Sequence, residues 1–203
     1  MKKGKMTARY IAVAALLIAA EIVLNRFCSI NAQGLKIGFS FVPPILAAIM
    51  YGPGMSAAVW ALSDLLGAIL FPIGPYHPGF TLCAALMGVT AGLLLNPNPV
   101  SIKRESGRGE FIFSISRKKV RIFPNVVAVV LVNCLFLGLV VNTVWVGMLY
   151  GSKTYPEWFM LRLGEYAVLV PVELVVIPAL LKLGGALGKQ LRTERSKGSE
   201  NES

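Results

Sequence analysis

The chain has 203 residues, of which 55% are hydrophobic and only 15% charged, with a mean hydropathy of +0.66. Too few polar side chains remain to coat a water-facing surface, so an ordinary soluble domain is excluded. Twenty Lys and Arg against ten Asp and Glu give a net charge of +10, and in a chain this apolar the excess records membrane topology rather than nucleic-acid binding.

A membrane helix needs about 20 mostly apolar residues, and breaks at Gly, Pro and charged clusters divide the chain into six candidate helices. The first covers residues 8–24. Lys2, Lys3, Lys5 and Arg9 precede it as in a signal peptide, but no convincing cleavage motif follows before Glu21 and Arg26, so it reads as a retained span. Ala8, Ala12, Ala15 and Ala19 recur at i, i+4, i+7 and i+11 and form one smooth stripe. Helices associate in lipid through such small residues, so the stripe either packs inside the bundle or docks another membrane protein.

The second candidate, 37–50, contains Pro43 and Pro44, each of which removes a backbone donor, so a short or kinked helix is expected. Tyr51-Gly52-Pro53-Gly54 is too tight for anything but a connection. In the third, 54–71, Ala57, Ala61 and Ala68 share a stripe with Asp64. The carboxylate is thereby aimed at a neighbouring helix rather than at lipid, where it would cost about 3 kcal/mol or more, and it reads as a structural intramembrane hydrogen-bonding group.

Between the third and fourth helices, Pro72, Pro75 and Pro78 recur every third residue within Phe71–Phe80. That is the repeat of polyproline II, so a stiff loop is expected that holds Tyr76 and His77 in place and loses little entropy on clamping a ligand. His77 has no second His with which to hold a metal. The fourth helix, 80–95, carries a ridge of Ala84, Gly88 and Gly92 suited to internal packing, and the loop 96–123 is basic.

The fifth helix, 124–149, ends in Asn142-Thr-Val-Trp145-Val-Gly-Met-Leu-Tyr150, with Asn142 and Trp145 one turn apart on one face. An amide beside an indole can hydrogen-bond and stack a flat heterocycle. Trp145 and Tyr150 also suit an interfacial aromatic belt. The sixth, 160–183, carries Glu165 and Glu173, which like Glu21 read as structural carboxylates. Residues 1–192 thus form one all-α membrane domain, and the Ser-, Glu- and Lys-rich segment 193–203 is expected to be a disordered tail. Cys28, Cys83 and Cys134 share no CxxC spacing, so neither a disulfide framework nor a metal site is expected.

Charge tests the count. Four cations lie in residues 2–9, seven in 96–123 and four beyond residue 188, whereas the opposite loops hold Arg26, Lys36 and Lys153. With six spans all three basic segments fall on one side, which places both termini in the cytoplasm. The outer cations Arg26 and Lys36, with Arg162 at the start of the sixth helix, occupy the side where positive charge is depleted and would serve an anion. Arg26 could pair a carboxylate bidentately or act as a snorkelling anchor.

Catalytic signatures are missing. The sequence has no G-x-x-x-x-G-K-[ST] phosphate loop, no H-E-x-x-H and no G-x-S-x-G, and nothing suggests an inverted repeat of discontinuous helices. A small bundle with an outward pocket and no engine reads as a binding subunit.

The stretches Lys36-Ile-Gly-Phe39-Ser-Phe41, Tyr51-Gly-Pro53, Asp64-Leu-Leu-Gly67, Pro75-Tyr76-His77-Pro78-Gly79-Phe80-Thr81 and Asn142-Thr-Val-Trp145 resemble the folate-specific S component of energy-coupling factor (ECF) vitamin transporters, with the likeness running from about Ala15 to Arg162. The resemblance implies a six-helix bundle in the bacterial plasma membrane that takes up folate or a reduced folate from outside without a cofactor. It implies substrate-binding by Arg26, Lys36, Phe39, Phe41, Tyr76, His77, Pro78, Gly79, Phe80, Thr81, Asn142 and Trp145. It also implies docking of a transmembrane coupling protein on Ala15 and Ala19, with ATP hydrolysed by two separate cytoplasmic subunits while the binding subunit topples in the membrane. His77 departs from the aromatic residue that the family carries there, and the 96–123 loop is longer than usual. Other flat vitamins remain open as ligands (riboflavin, thiamine or a queuosine-type deazapurine), as does a small membrane enzyme or a structural subunit.

Overall fold

The computed structural model describes residues 3–32, 35–96, 100–104, 111–115, 122–151 and 153–200. These fold into helices α1 (Lys3–Arg26), α2 (Val42–Tyr51), α3 (Pro53–Leu70), α4 (Pro78–Leu95), α5 (Ile122–Val130), α6 (Asn142–Tyr150) and α7 (Tyr155–Glu200). A π-helical segment, Leu131–Val141, joins α5 to α6 in one continuous rod. Two antiparallel hairpins complete the described residues, β1 (Ile30–Ala32) with β2 (Leu35–Ile37) and β3 (Val100–Arg104) with β4 (Phe111–Ile115). By length and composition α3, α4, the rod Phe123–Tyr150 and the part of α7 from Tyr155 to Leu183 can each cross a membrane, and α2 is a shorter apolar helix.

The candidate spans lie close to these helices, with three corrections. The second begins at Val42 rather than 37, because residues 35–37 pair with 30–32 and so leave the helical path. Of the two outcomes expected from Pro43 and Pro44, α2 is short but not kinked; the prolines sit in its first turn, where a missing N–H leaves no carbonyl unpaired. The segment 193–203 is not wholly disordered, since α7 runs on to Glu200 through Leu, Gln, Arg, Glu and Lys, residues that favour helix, while 201–203 lie outside the described residues. The basic loop 96–123 likewise holds strands β3 and β4, and its residues 97–99, 105–110 and 116–121 lie outside the described residues.

Chain turns fix the antiparallel order. Gly52 adopts φ +90°, open to glycine but strained for other residues, and its N–H caps α2 on the carbonyls of Ala47 and Ala48 before Pro53 opens α3. Helix α2 is the buried axis: Ile45, Ala47 and Ala48 have almost no exposure, and Phe41, Ile45 and Ala48 share a core with Ala91, Leu95, Val126, Val129 and Ile177 from α4, α5 and α7. Polar groups at this level are tied to backbone. Ser56 Oγ donates to the Pro44 carbonyl at 2.9 Å, and Asn125 Nδ2 donates to the Leu94 carbonyl at 2.7 Å. Buried hydroxyls and amides need such acceptors where no water reaches.

The small-residue stripes divide. A Cβ on Gly88 would lie 2.5 Å from Ala57 Cα, and one on Gly92 would overlap Pro53, so this ridge packs α4 directly against the backbone of α3. The stripe on α1 does the opposite. Ala8, Ala12, Ala15 and Ala19 are all exposed on the outside of the bundle, which removes the internal-packing alternative for them.

Candidate functional site

At the end of the bundle where α1 stops and α4 and α7 start, the helices enclose a cavity of about 630 Å³. Its mouth is built by the last residue of α1 (Arg26), the β1–β2 hairpin carrying Lys36, the loop between α3 and α4 carrying Tyr76, and the end of α6 at Tyr150. Its depth comes from residues spaced by three or four along single helices. Helix α7 contributes Arg162, Glu165, Tyr166, Leu169 and Glu173, and the inner end is reached by Trp60, Met87, Asn133 and Cys134.

Two cations stand at the mouth and a third, Arg162, lies deeper on α7. Lys36 Nζ donates to Asn25 Oδ1, while Asn25 Nδ2 donates to Glu21 Oε1 at 2.6 Å, so one amide couples an ammonium to a carboxylate. Burial pushes the Lys36 ammonium down to about 8, although Glu21 draws it upward. Arg162 is buried, and each of its three nitrogens has a partner: Nε faces Glu165 Oε2 at 3.4 Å, Nη1 donates to Thr143 Oγ1 at 3.3 Å and Nη2 to the Tyr166 hydroxyl at 3.0 Å. Arg26, by contrast, keeps a buried Nε without a hydrogen-bond partner. A guanidinium held short of its full donor set is a ready partner for an anion.

The acceptor side is equally incomplete. Asn142 lines the cavity with a buried Oδ1 that has no partner, as a buried amide awaiting a ligand donor would. Asp64 also lines the cavity and accepts the Thr81 hydroxyl at 2.6 Å, and that hydroxyl is 2.7 Å from the Tyr76 phenol. The expected structural role for Asp64 is thus joined to a place on the cavity wall.

Of the residues singled out in the sequence, the structure brings Arg26, Lys36, Phe41, Tyr76, Phe80 and Asn142 to the cavity. Phe39 is not among its lining; it is exposed and lies tilted against Phe41, with centroids 6.3 Å apart. Pro78 and Gly79 join Phe80 and Thr81 in the first turn of α4 rather than belonging to a stiff loop, since His77 caps that helix by accepting the Gly79 N–H on Nδ1 at 3.0 Å. Nor does Trp145 line the cavity. His77 stacks on its ring, and its buried indole N–H has no hydrogen-bond partner among the described residues.

Asn25, Trp60, Asn133 and Tyr166, which sequence reasoning passed over, fill much of the wall together with Glu21, Glu165 and Glu173, which it read as structural carboxylates. An ionisable or amide side chain inside an apolar span was the available signal. Among the described residues no group of three His, Cys, Asp or Glu is placed to hold a metal.

Comparison with known proteins adds four findings. The sequence model of the family described as ECF transporter, substrate-specific component, matches residues 9–176. A protein named Folate transporter FolT from Clostridium novyi (strain NT) is 33% identical over 169 residues, 83% of this chain and 86% of that protein. A Folate transporter FolT from Leuconostoc mesenteroides is 32% identical over 89 residues, 44% of this chain and 48% of that protein. A solved structure titled as a crystal structure of FolT bound with folic acid superposes with a TM-score of 0.67 at 26% identity, covering 85% of this chain and 90% of that one.

Proposed function

Since the chain belongs to the family of ECF transporter substrate-specific components, we propose that it is the folate-binding membrane subunit of an ECF-type importer. Folate or a reduced folate enters the cavity from outside the cell and is held reversibly, without covalent chemistry. The observation that carries the reading is the cavity itself, a space of about 630 Å³ whose mouth gathers Arg26 and Lys36 against an anion while Phe41, Trp60 and Phe80 supply flat apolar wall among its buried polar groups. A ligand with a flat heterocycle at one end and two carboxylates at the other matches that division of charge. The names of the two relatives and of the folic-acid-bound neighbour support the same ligand.

In this reading six helices span the bacterial plasma membrane with both termini in the cytoplasm, as the positive charges of residues 2–9, 96–123 and 189–197 favour. Arg26 and Lys36 meet the glutamate carboxylates, and Asn142 supplies a polar anchor on the wall. The exposed Ala15 and Ala19 receive the coupling protein, and two cytoplasmic ATPases supply the energy, which suits a chain without a phosphate loop of its own. Titration calorimetry of the detergent-purified protein with folic acid tests the reading. Binding at micromolar concentration or tighter is expected, and no heat with any folate overturns it. A cavity filled equally well by riboflavin or thiamine would move the chain to another vitamin.

A further inference from the structure

The carboxylates of the cavity are not equivalent. Glu165 faces Arg162, Glu21 is bonded by Asn25, and Asp64 accepts the Thr81 hydroxyl. Glu173 has none of these. Among the described residues no cation lies within ion-pair distance of it, and the polar group set beside it is the Cys134 thiol, a weak donor. It is also the cavity-lining residue of α7 farthest from the mouth, eleven residues beyond Arg162, or about 17 Å at the helical rise. The other polar side chains of that level satisfy one another, since Thr90 Oγ1 donates to Asn133 Oδ1 and Asn133 Nδ2 to the Met87 carbonyl at 3.2 Å. Trp60 and Met87 supply flat and deformable apolar walls beside it.

A carboxylate that lacks a cation is complementary to a neutral partner with two parallel N–H donors, the geometry it finds in a guanidinium without the charge. The 2-amino-4-oxo edge of a pterin presents that pair through its ring N3–H and its exocyclic amino group. Resting on the folate reading above, we propose that Glu173 is a specificity-determining residue that accepts this donor pair, so that the ligand enters heterocycle first and leaves its carboxylates with Arg26 and Lys36 at the mouth. The separation of about 17 Å between Arg162 and Glu173 along α7 is comparable to the length of an extended pteroylglutamate. Selection by this pair extends to any ligand with a 2-amino-4-oxopyrimidine edge, and it disfavours flat rings that lack the amino donor.

The test compares folic acid with its 2-desamino-2-methyl analogue by calorimetry on the full chain in detergent. The wild type should bind folic acid at least about tenfold more tightly, because an unmet buried acceptor is costly. Glu173→Gln, which sets an amide donor against the ligand's donors, should weaken folic acid about 10- to 100-fold while moving the analogue less than about threefold. Arg26→Met should weaken both ligands alike. Equal losses for both ligands in Glu173→Gln, or none, overturn the assignment. Should that variant not be recovered monodisperse, the wild-type ratio decides: less than about threefold overturns the proposal. Failure of the wild type to bind folic acid at all rejects the folate reading instead.

Discussion

The imidazole of His77 lies parallel to the indole of Trp145, with ring centroids 4.8 Å apart and planes 20° from each other. The same imidazole accepts the Gly79 N–H, so one side chain both starts α4 and covers the face of α6. A Cβ on Gly79 would meet Trp145 Cε2 at 2.5 Å and His77 Nδ1 at 2.8 Å. Gly79→Ala should therefore separate the two rings and destabilise the protein by about 1–3 kcal/mol. His77→Ala should cost about 1 kcal/mol through the lost cap and a similar amount through the lost stack. Thermal unfolding in detergent measures both, and unchanged transitions would show that the stack carries no stability.

Lys36 gives the protein a pH dependence whose sign is fixed. Burial holds its ammonium near 8, below the usual lysine range, so the unliganded protein loses this cation as pH rises through 8. An anionic ligand stabilises the charged form and raises that value. Affinity should thus be level below about pH 7 and fall above pH 8, by up to about tenfold per unit while only the bound form keeps its proton. Lys36→Arg, charged throughout, should remove this part of the decline. Calorimetry from pH 6 to 10 checks it, and identical profiles for the two proteins would reject the role of Lys36.

Arg162 binds three partners inside the bundle, and its removal would leave Glu165 buried without a cation. Arg162→Met should destabilise by about 3–5 kcal/mol. Adding Glu165→Leu should restore much of that stability, because a buried pair replaced by apolar side chains is close to neutral. The double variant should still bind folate less tightly than the wild type, since Arg162 lines the cavity. Thermal midpoints and binding constants for the single and double variants separate the structural from the ligand-binding contribution.

Ala15 and Ala19 lie on the exposed side of α1. Ala15→Trp and Ala19→Trp should leave folding and folate affinity intact while preventing co-purification with the coupling protein and ATP-dependent uptake, because a smooth face loses close approach when bulk is added. Uptake at the wild-type rate in both variants would exclude docking there.

The apolar helices were legible because apolar runs are bounded by the residues that break them. Pro53 and Pro78 stand at helix starts, and Gly52 stands at a turn. The hairpin Ile30–Ile37 was not legible, since three-residue strands are too short to show an alternation. The cavity was read from its mouth inward. Arg26, Lys36 and Asn142 stood out as charges or amides near helix ends, whereas Glu21, Glu165 and Glu173 looked like isolated structural acids, because only the folded bundle brings α1 and α7 to one space. Trp145 was less legible for a different reason. Its one-turn spacing from Asn142 is correct, but a spacing does not report that His77, 68 residues earlier in the chain, already covers the ring.

The interlock of Gly88 and Gly92 with the backbone of α3 has a mechanical consequence. Two helices in backbone contact at glycine notches resist sliding along each other, because the notches meet Pro53 and Ala57 in this register and Ala84 and Leu95, which flank them on the same face of α4, carry side chains. The α3–α4 pair must answer a thinner or thicker bilayer as a single plank. It can change its inclination to the membrane normal but not its height difference, so hydrophobic mismatch is converted into tilt of the whole pair and passed to the loop 71–77 at the cavity mouth.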